Sequence, residues 1–222
     1  MSLVVRFLTS SVGRKVLMAL TGLLLIGFLI VHMSGNLLIF SSAEAFNEYS
    51  HKLISNPLIY VAEFALLVLF VAHFLSGILV TLNNWAARPE PYVRKEAAGY
   101  TSHKTVSSAT MIWTGIVVLV FVPLHIYTFK FGTYYASATD PKVRDLYRLV
   151  IEDFQNPLLV AWYVVAMVLV GFHLWHGFGS AFESLGMAYR KPLRRFGQLL
   201  AVVLAGGFLI IPVVIYMMGG KL

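Results

Sequence analysis

The sequence contains no cysteine and few charged residues. Only 12% of its 222 residues are Asp, Glu, Lys or Arg, about half the share that is usual in a soluble domain. Without a thiol, the chain can form no disulfide, hold no thiolate-bound iron–sulfur cluster and attach no c-type haem. A metal or cofactor bound by this chain must therefore be held by histidine, methionine or carboxylate side chains.

Long apolar runs take the place of the missing charge, since 59% of the residues are hydrophobic. About 20 apolar residues are needed to cross a bilayer as a helix, and five segments reach that length. The chain is therefore predicted to be an all-α integral membrane protein that forms one domain over residues 1–222. The five transmembrane helices are predicted at about 14–40, 57–83, 106–131, 157–184 and 196–218.

Two Asn-Pro pairs predict helix starts, at Asn56-Pro57 and Asn156-Pro157. Asparagine is a good N-cap, and proline loses no hydrogen bond in the first turn of a helix. The connection 132–156 is long and charged, and its stretch YRLVIEDF is predicted to be partly helical.

Lysine and arginine are unevenly distributed between the two ends of the predicted helices. Eleven lie at the N-terminus and in the second and fourth loops, whereas six lie on the opposite side. Since basic residues are retained on the cytoplasmic side, the N-terminus is predicted to be cytoplasmic and the C-terminus outside. The net charge of +7 is thus explained by membrane orientation rather than by nucleic-acid binding.

One histidine marks each of the first four helices: His32, His73, His125 and His173. An imidazole within a bilayer is costly unless it has a partner. From the rise of about 1.5 Å per residue, His32 and His125 share an outer level. His73 and His173 share an inner level, roughly 13 Å away along the membrane normal. The sequence therefore predicts two histidine pairs across a four-helix bundle.

Small residues accompany these histidines in a repeated pattern. Thr21-Gly22 and Thr114-Gly115 each precede an outer histidine by about three turns, so the threonines lie on the histidine face but deeper in the membrane. Each inner histidine is followed after four residues by glycine, at Gly77 and Gly177. A glycine on the same face leaves room for a large flat group, which favours a macrocycle over a proton pathway.

Neutral imidazoles facing one another, without carboxylates or thiolates, are typical of b-type haem with two axial histidines. Zinc or a di-iron centre would need several ligands at one point, often carboxylates. Glu63 is the one acid predicted to lie inside the membrane in the first four helices, so such a centre is not favoured. The alternative is that each histidine only hydrogen-bonds a neighbouring helix; pairing by level and by motif favours haem. Two further histidines, His51 and His103, are predicted to lie in solvated loops.

A set of motifs extends over nearly the whole chain. They are TG-x9-HM (Thr21 to Met33), AEAFN (Ala43 to Asn47), H-x3-G on the second and fourth helices, TG-x9-H on the third, and YRLV (Tyr147 to Val150). In order and spacing they resemble the single-polypeptide, di-haem cytochrome b membrane subunit of succinate:quinone oxidoreductases, that is, of succinate dehydrogenase or fumarate reductase.

The resemblance implies two molecules of haem b and their ligands. His73 and His173 would bind the iron of the inner, proximal haem. His32 and His125 would bind the iron of the outer, distal haem. His176, three residues after one ligand, is then a candidate hydrogen-bonding neighbour of a propionate.

The resemblance also implies a quinone site near the outer haem, with menaquinone as the expected quinone. Quinone chemistry needs a proton donor or acceptor beside the ring, and Glu48, with Glu44 as second candidate, lies in the corresponding region. Arg148, within YRLV, is a candidate for pairing with a distal propionate, because a guanidinium pairs well with carboxylates. Gly171 stands where some members carry a glutamate linked to transmembrane proton movement.

The implied role is electron transfer between an iron–sulfur subunit and a membrane quinone, in a bacterial inner membrane. FAD and the iron–sulfur clusters would belong to a flavoprotein and an iron–sulfur partner on the cytoplasmic side, since this chain has no cysteine and no dinucleotide-binding motif. The resulting three-subunit complex is a candidate for further oligomerisation. Basic residues on that side would either dock these partners or only set topology: Arg88, Arg94, Lys95, Arg190, Lys191, Arg194 and Arg195.

Two other functions fit the same sequence features. One is the cytochrome b subunit of another quinone-linked dehydrogenase, of the formate dehydrogenase or hydrogenase type. The other is a membrane transporter or scaffold without haem, although the broken helices common in transporters are not evident.

Overall fold

The fold is a bundle of long helices with a small helical cap at one end. The computed structural model describes residues 2–87, 110–138, 140–187 and 191–221. Within these ranges the α-helices are α1 (Leu3–Thr9), α2 (Ser11–Asn36), α3 (Ala43–Ser55), α4 (Leu58–Ala86), α5 (Met111–Phe129), α6 (Leu146–Asp153), α7 (Pro157–Ser184) and α8 (Lys191–Met217). A 3-10 turn, Leu37–Phe40, extends α2.

Five of these helices, α2 with its 3-10 extension, α4, α5, α7 and α8, are long and apolar enough to cross a membrane. They confirm the all-α fold class and match the five predicted spans, although α8 begins earlier than predicted. The predicted start of the third span, at about 106, lies outside the described residues. The surface of α4 agrees with a lipid environment, because Tyr60, Val61 and Phe64 are each about two-thirds exposed. Exposed apolar surface on this scale is unusual in a soluble protein.

The Asn156-Pro157 pair begins a helix as predicted, whereas Asn56 and Pro57 both precede α4, which begins at Leu58 with Pro57 as its N-cap. The side-chain oxygen of Asn156 accepts hydrogen bonds from the N–H groups of Leu158 and Leu159, and Pro157 is the first helical residue of α7. The side chain of Asn56 likewise accepts from the N–H of Leu58 at 3.0 Å. These bonds satisfy amide groups that have no partner within the helix.

Helix α7 lies at the centre of the bundle. It packs against α2, α5 and, most extensively, α8, while α4 packs chiefly on α2. The core between α7 and α8 is formed by small and branched side chains such as Ala166, Ala201, Leu204 and Ile215, each at most 1% exposed. These small side chains let the backbones of α7 and α8 approach each other closely.

The cap, at the end of the bundle that is predicted to lie outside, consists of α3 and α6, which pack on each other. Helix α6 confirms the predicted helical stretch in the 132–156 connection. Helix α3 was not predicted, and it corrects the placement of His51, which lies within this helix rather than in a loop. The amphipathic spacing of α3 explains the difference, because Phe46, Asn47 and Ser50 are buried against the cap while the opposite face is solvated. His103 lies outside the described residues.

Candidate functional site

Four histidines converge into two pairs inside the bundle. His73 of α4 and His173 of α7 have ring centres 6.3 Å apart and ring planes at 72°. His32 of α2 and His125 of α5 have ring centres 5.8 Å apart and ring planes at 85°. These are the same pairs that the membrane levels predict.

Each inner histidine is held through Nδ1 by the preceding apolar helix. Nδ1 of His73 lies 3.0 Å from the carbonyl oxygen of Met18 and 3.3 Å from the hydroxyl of Thr21. Nδ1 of His173 lies 3.1 Å from the hydroxyl of Thr114, and the carbonyl of Met111 also faces this imidazole.

The direction of these bonds fixes the tautomer of the inner imidazoles. The hydroxyl groups of Thr21 and Thr114 already donate to carbonyls of their own helices, at 2.7 and 3.0 Å. Nδ1–H of His73 must be the donor, because the carbonyl of Met18 can only accept, and this leaves the lone pair on Nε2. We infer the same tautomer for His173 from the matching arrangement around it. No hydrogen bond to Nε2 of His73 or His173 is found in the described ranges. A histidine anchored at one nitrogen and free at the other is prepared to bind a metal.

These contacts define a repeat that extends beyond Thr-Gly. The sequence MALTG (Met18 to Gly22) on α2 and the sequence MIWTG (Met111 to Gly115) on α5 each place a carbonyl, a hydroxyl and a glycine against one inner histidine. Sequence reasoning found the threonines and their depth but not these partners. The methionine three residues before each threonine is the signal that would have extended the motif.

The glycine of each repeat allows the histidine ring to approach the helix. A Cβ atom at Gly22 would lie 2.9 Å from Cε1 of His73, and one at Gly115 would lie 3.5 Å from Cε1 of His173. By contrast, a Cβ at Gly77 or Gly177 would meet a methionine side chain at 3.8 or 3.9 Å, an ordinary contact. That these glycines leave room for a large flat group stays a prediction.

The outer pair has different neighbours. Nδ1 of His125 lies 2.9 Å from the hydroxyl of Tyr163, a residue of α7 that is 6% exposed. The imidazole stacks on Phe121 with ring centres 5.6 Å apart, and His32 stacks on Phe28 at 5.1 Å. Sequence reasoning missed Tyr163; the signal was a hydroxyl group inside an otherwise apolar span. Aromatic side chains thus surround this pair.

The carboxylates predicted to serve a quinone lie in α3. Glu48 forms a 2.7 Å ion pair with Lys52 on the solvated face, and the side chains are 65% and 72% exposed. The hydrogen bond and charge of Lys52 lower the pKa of Glu48. Glu44 lies in the first turn of the same helix. No described hydrogen bond or ion pair joins either residue to a histidine, and their role in proton exchange stays a prediction.

The residues predicted to contact propionates are also located. Arg148 pairs with Glu152 at 2.7 Å and lies 4.2 Å from the ring centre of Tyr135, with its side chain 56% exposed. His176 is half-buried one turn beyond His173. Both roles stay predictions.

The side chains present fit a haem held by two histidines. Each pair offers two imidazoles, and the Nδ1 contacts of the inner pair leave Nε2 available to a metal. Metal–imidazole bonds are about 2 Å long, so ring centres about 6 Å apart suit one shared iron.

Comparison with known proteins identifies a distant relative. The chain is 21% identical over 188 residues to the succinate dehydrogenase cytochrome b558 subunit of Bacillus subtilis (strain 168), and the alignment covers 84% of this chain and 86% of the relative. No protein-family model matches the chain, and no solved structure matches it. The chain is thus similar, over most of its length, to a cytochrome b subunit of succinate dehydrogenase, which supports the resemblance carried by the motifs.

Proposed function

We propose that this chain is the membrane-anchoring, di-haem cytochrome b subunit of a succinate dehydrogenase or fumarate reductase. It passes electrons between an iron–sulfur subunit and a membrane quinone, with menaquinone as the expected quinone. The observation that carries the proposal is the convergence of four histidines from four apolar helices into two facing pairs. The similarity to the succinate dehydrogenase cytochrome b558 subunit of Bacillus subtilis supports the choice of complex.

The residues have distinct roles in this function. His73 and His173 would hold one haem iron, and His32 and His125 the other. The haems supply one-electron redox centres, while the protein orients them and excludes water. Thr21 and Thr114 orient the inner imidazoles through Nδ1; the stacked aromatic rings around His125 keep the outer site apolar.

The soluble partners would dock at the inner, cytoplasmic end. A flavoprotein and an iron–sulfur subunit supply the dicarboxylate chemistry and the clusters that a chain without cysteine cannot hold. Lys191, Arg194 and Arg195, at the start of α8, are exposed there and offer positive charge to a partner. The other basic residues assigned to this surface lie outside the described residues.

The test is a reduced-minus-oxidised optical spectrum of the purified chain, with haem quantified and titrated against potential. Two b-type haems per chain, with separate midpoints, are expected. Replacing His73 or His173 by alanine should remove one and the same spectral component, and replacing His32 or His125 should remove the other. A folded chain without haem would refute the proposal and leave the transporter or scaffold function.

The complex itself is tested by purification with its partners. Succinate should reduce the haems of the assembled complex, whereas formate and hydrogen should not. Reduction by formate or hydrogen instead would assign the chain to the other class of quinone-linked dehydrogenase.

A further inference from the structure

An ion pair joins α4 and α5 at the cap end of the bundle. The carboxylate of Glu63, in the second turn of α4, pairs with the ammonium of Lys130, which directly follows the last residue of α5. We propose that this pair is a latch on the side of the bundle through which haem is inserted and released. The inference rests on the proposed function and goes beyond it, because it assigns a route to the haem sites rather than the ligands.

The four helices that carry the histidine pairs form a ring with one weakly packed side. Helix α2 packs on α4 and on α7, and α7 packs on α5, whereas the contact between α4 and α5 is slight. Helix α8 packs on α7 and α2, away from the weak side, and the cap of α3 and α6 covers the outer end. Tightly packed helices lie about 8–10 Å apart from axis to axis, too close for a macrocycle to pass between them. The α4/α5 side is therefore the side that can open.

Opening this side would separate the members of both histidine pairs. His73 of α4 faces His173 of α7, and His32 of α2 faces His125 of α5, so each pair joins helices that are diagonally opposite in the ring. Helix α4 stays packed on α2, and α5 stays packed on α7. A movement of α4 away from α5 therefore lengthens both diagonals and gives access to the space between the imidazoles.

The ion pair lies at the end where the two helices are otherwise free to separate. Helices α4 and α5 are consecutive spans, so the chain itself connects them at the opposite, inner end. At the cap end they are joined by the side chains of Glu63 and Lys130. The described residues of α4 and α5 share no hydrogen bond with each other. The pair is thus placed where it controls the opening of a hinged pair of helices.

The apolar surroundings strengthen this ion pair. The side chains of Glu63 and Lys130 are 39% and 47% exposed, and the neighbouring Phe64 is 68% exposed, as expected for a surface that faces lipid. A single charge in such surroundings is costly, and lipid, unlike water, offers no competing hydrogen bonds. The pair of Glu48 and Lys52 on the solvated face of α3, with side chains 65% and 72% exposed, belongs to the class of surface pairs that contribute little.

The position of the latch predicts a difference between the two haem sites. Lys130 follows His125 by five residues, about 7.5 Å along α5. His73 lies ten residues beyond Glu63, about 15 Å along α4 and closer to the inner connection. Because a hinged pair of helices separates most at its free end, loss of the ion pair should affect the outer histidine pair more than the inner pair.

The test measures how fast haem leaves the chain. The haem-loaded full chain in lipid nanodiscs is mixed with excess apomyoglobin, and the loss of the outer and inner spectral components is followed separately. Glu63→Gln or Lys130→Gln should release the outer haem about three- to tenfold faster, with a smaller effect on the inner haem. Glu63→Lys combined with Lys130→Glu should restore most of the original rate. Lys52→Gln, which breaks the solvated pair in α3, is the matched control and should release haem as the unaltered chain does.

The absence of cysteine from the chain allows a second measurement on the same side of the bundle. Glu63→Cys combined with Lys130→Cys supplies two thiols that a short bis-methanethiosulfonate reagent can join. This crosslink should slow the release of the outer haem below the rate of the unaltered chain. Each single cysteine variant, treated with the same reagent, should show no such slowing. Release and insertion use the same opening, so the crosslink reports on both.

Other outcomes would overturn the inference. Unchanged release in Glu63→Gln and Lys130→Gln, or in the crosslinked chain, places the route on another side of the bundle. Equal acceleration of both components, together with a lower midpoint of thermal unfolding, means that the pair only stabilises the bundle. In both cases the unaltered chain still holds two haems, so the proposed function stands. An unaltered chain that holds no haem refutes the proposed function, and the latch with it.

Discussion

The hydroxyl of Thr114 lies 3.1 Å from Nδ1 of His173, and Thr21 stands in the same relation to His73 at 3.3 Å. Each inner histidine thus takes its orientation from the helix that precedes its own in the membrane. An acceptor at Nδ1–H makes the imidazole a stronger electron donor through Nε2. This relationship connects a motif on α2 and α5 with the redox property of a group held by α4 and α7.

Replacing both threonines by valine should raise the midpoint potential of the inner haem and leave that of the outer haem unchanged. Valine keeps the shape but removes the acceptor, so the ferric iron loses donated charge. Because the carbonyls of Met18 and Met111 remain, we expect the haem to stay bound, with affinity reduced about 10- to 100-fold at most. A potentiometric titration of the two spectral components measures the effect.

Thr81→Val is the matched control for this pair of substitutions. Thr81 donates to the carbonyl of Gly77 within α4 at 2.8 Å, and no described contact joins it to a histidine. It should shift neither potential. Equal shifts of both haems in the threonine variants, or none, would contradict an orienting role.

A second prediction concerns the close approach of α2 to His73. Gly22→Ala places a Cβ atom 2.9 Å from Cε1 of the imidazole, so the ring must move away from its acceptors. We expect loss of the inner haem component with retention of the outer one, measured as haem per chain and by spectrum. Gly115→Ala places its Cβ atom 3.5 Å from Cε1 of His173, so it should remove less of the inner haem.

Gly27→Ala serves as the control for Gly22→Ala. Gly27 lies in the same helix, but its added Cβ would meet nothing within 4 Å. Both substitutions favour the helix by the same amount, about 1 kcal/mol, so a difference in haem content between them measures the effect of the contact with His73. Equal haem content in the two variants would show that His73 tolerates displacement.

The sequence predicted the five spans and the two histidine pairs because both depend on simple geometry. Span length follows from the thickness of the bilayer, and the level of a histidine follows from the rise along its helix. His73 and His173 could therefore be paired without knowing which helices touch.

Contacts between helices could not be read in the same way. The threonines were placed on the face of their own outer histidines, at the right depth, but their contact with inner histidines depends on how α2 and α4 pack. Tyr163 of α7 was missed for the same reason. Helix α3 was missed because its periodicity is short and its buried face includes a polar residue, Asn47, whose partners come from a distant segment.

A third prediction concerns that buried asparagine, which joins the two halves of the cap. The amide of Asn47 donates to Asp145 at 2.8 Å, and its oxygen accepts from the N–H of Tyr147 at 2.8 Å. Asn47→Ala leaves both groups without this partner, and we expect about 1–3 kcal/mol of destabilisation. Thermal unfolding in detergent should show a lower midpoint, and proteolysis should cut the 132–145 segment faster.

Asn47→Asp tests the charge at the same position. A second carboxylate beside Asp145 should destabilise the cap more than alanine at neutral pH, and acidification that protonates either group should restore part of the loss. Asn84→Ala, on the exposed end of α4, is the control and should change neither measurement. A neutral Asn47→Ala would mean that the cap is held by its apolar contacts alone.

The last prediction concerns Arg144, whose guanidinium holds the loop that follows α5. It donates to the carbonyls of Lys130, Gly132 and Thr133 at 3.0 to 3.1 Å. Arg144→Ala should cost about 1–3 kcal/mol of stability, seen as a lower midpoint of thermal unfolding in detergent, without removing either haem. Arg144→Lys should recover only part of the loss, because an ammonium cannot match a planar guanidinium fork. Lys142→Ala removes a nearby exposed charge and should leave the unfolding midpoint unchanged. If it lowers the midpoint as much as Arg144→Ala, then net charge rather than the three hydrogen bonds determines the stability of the loop.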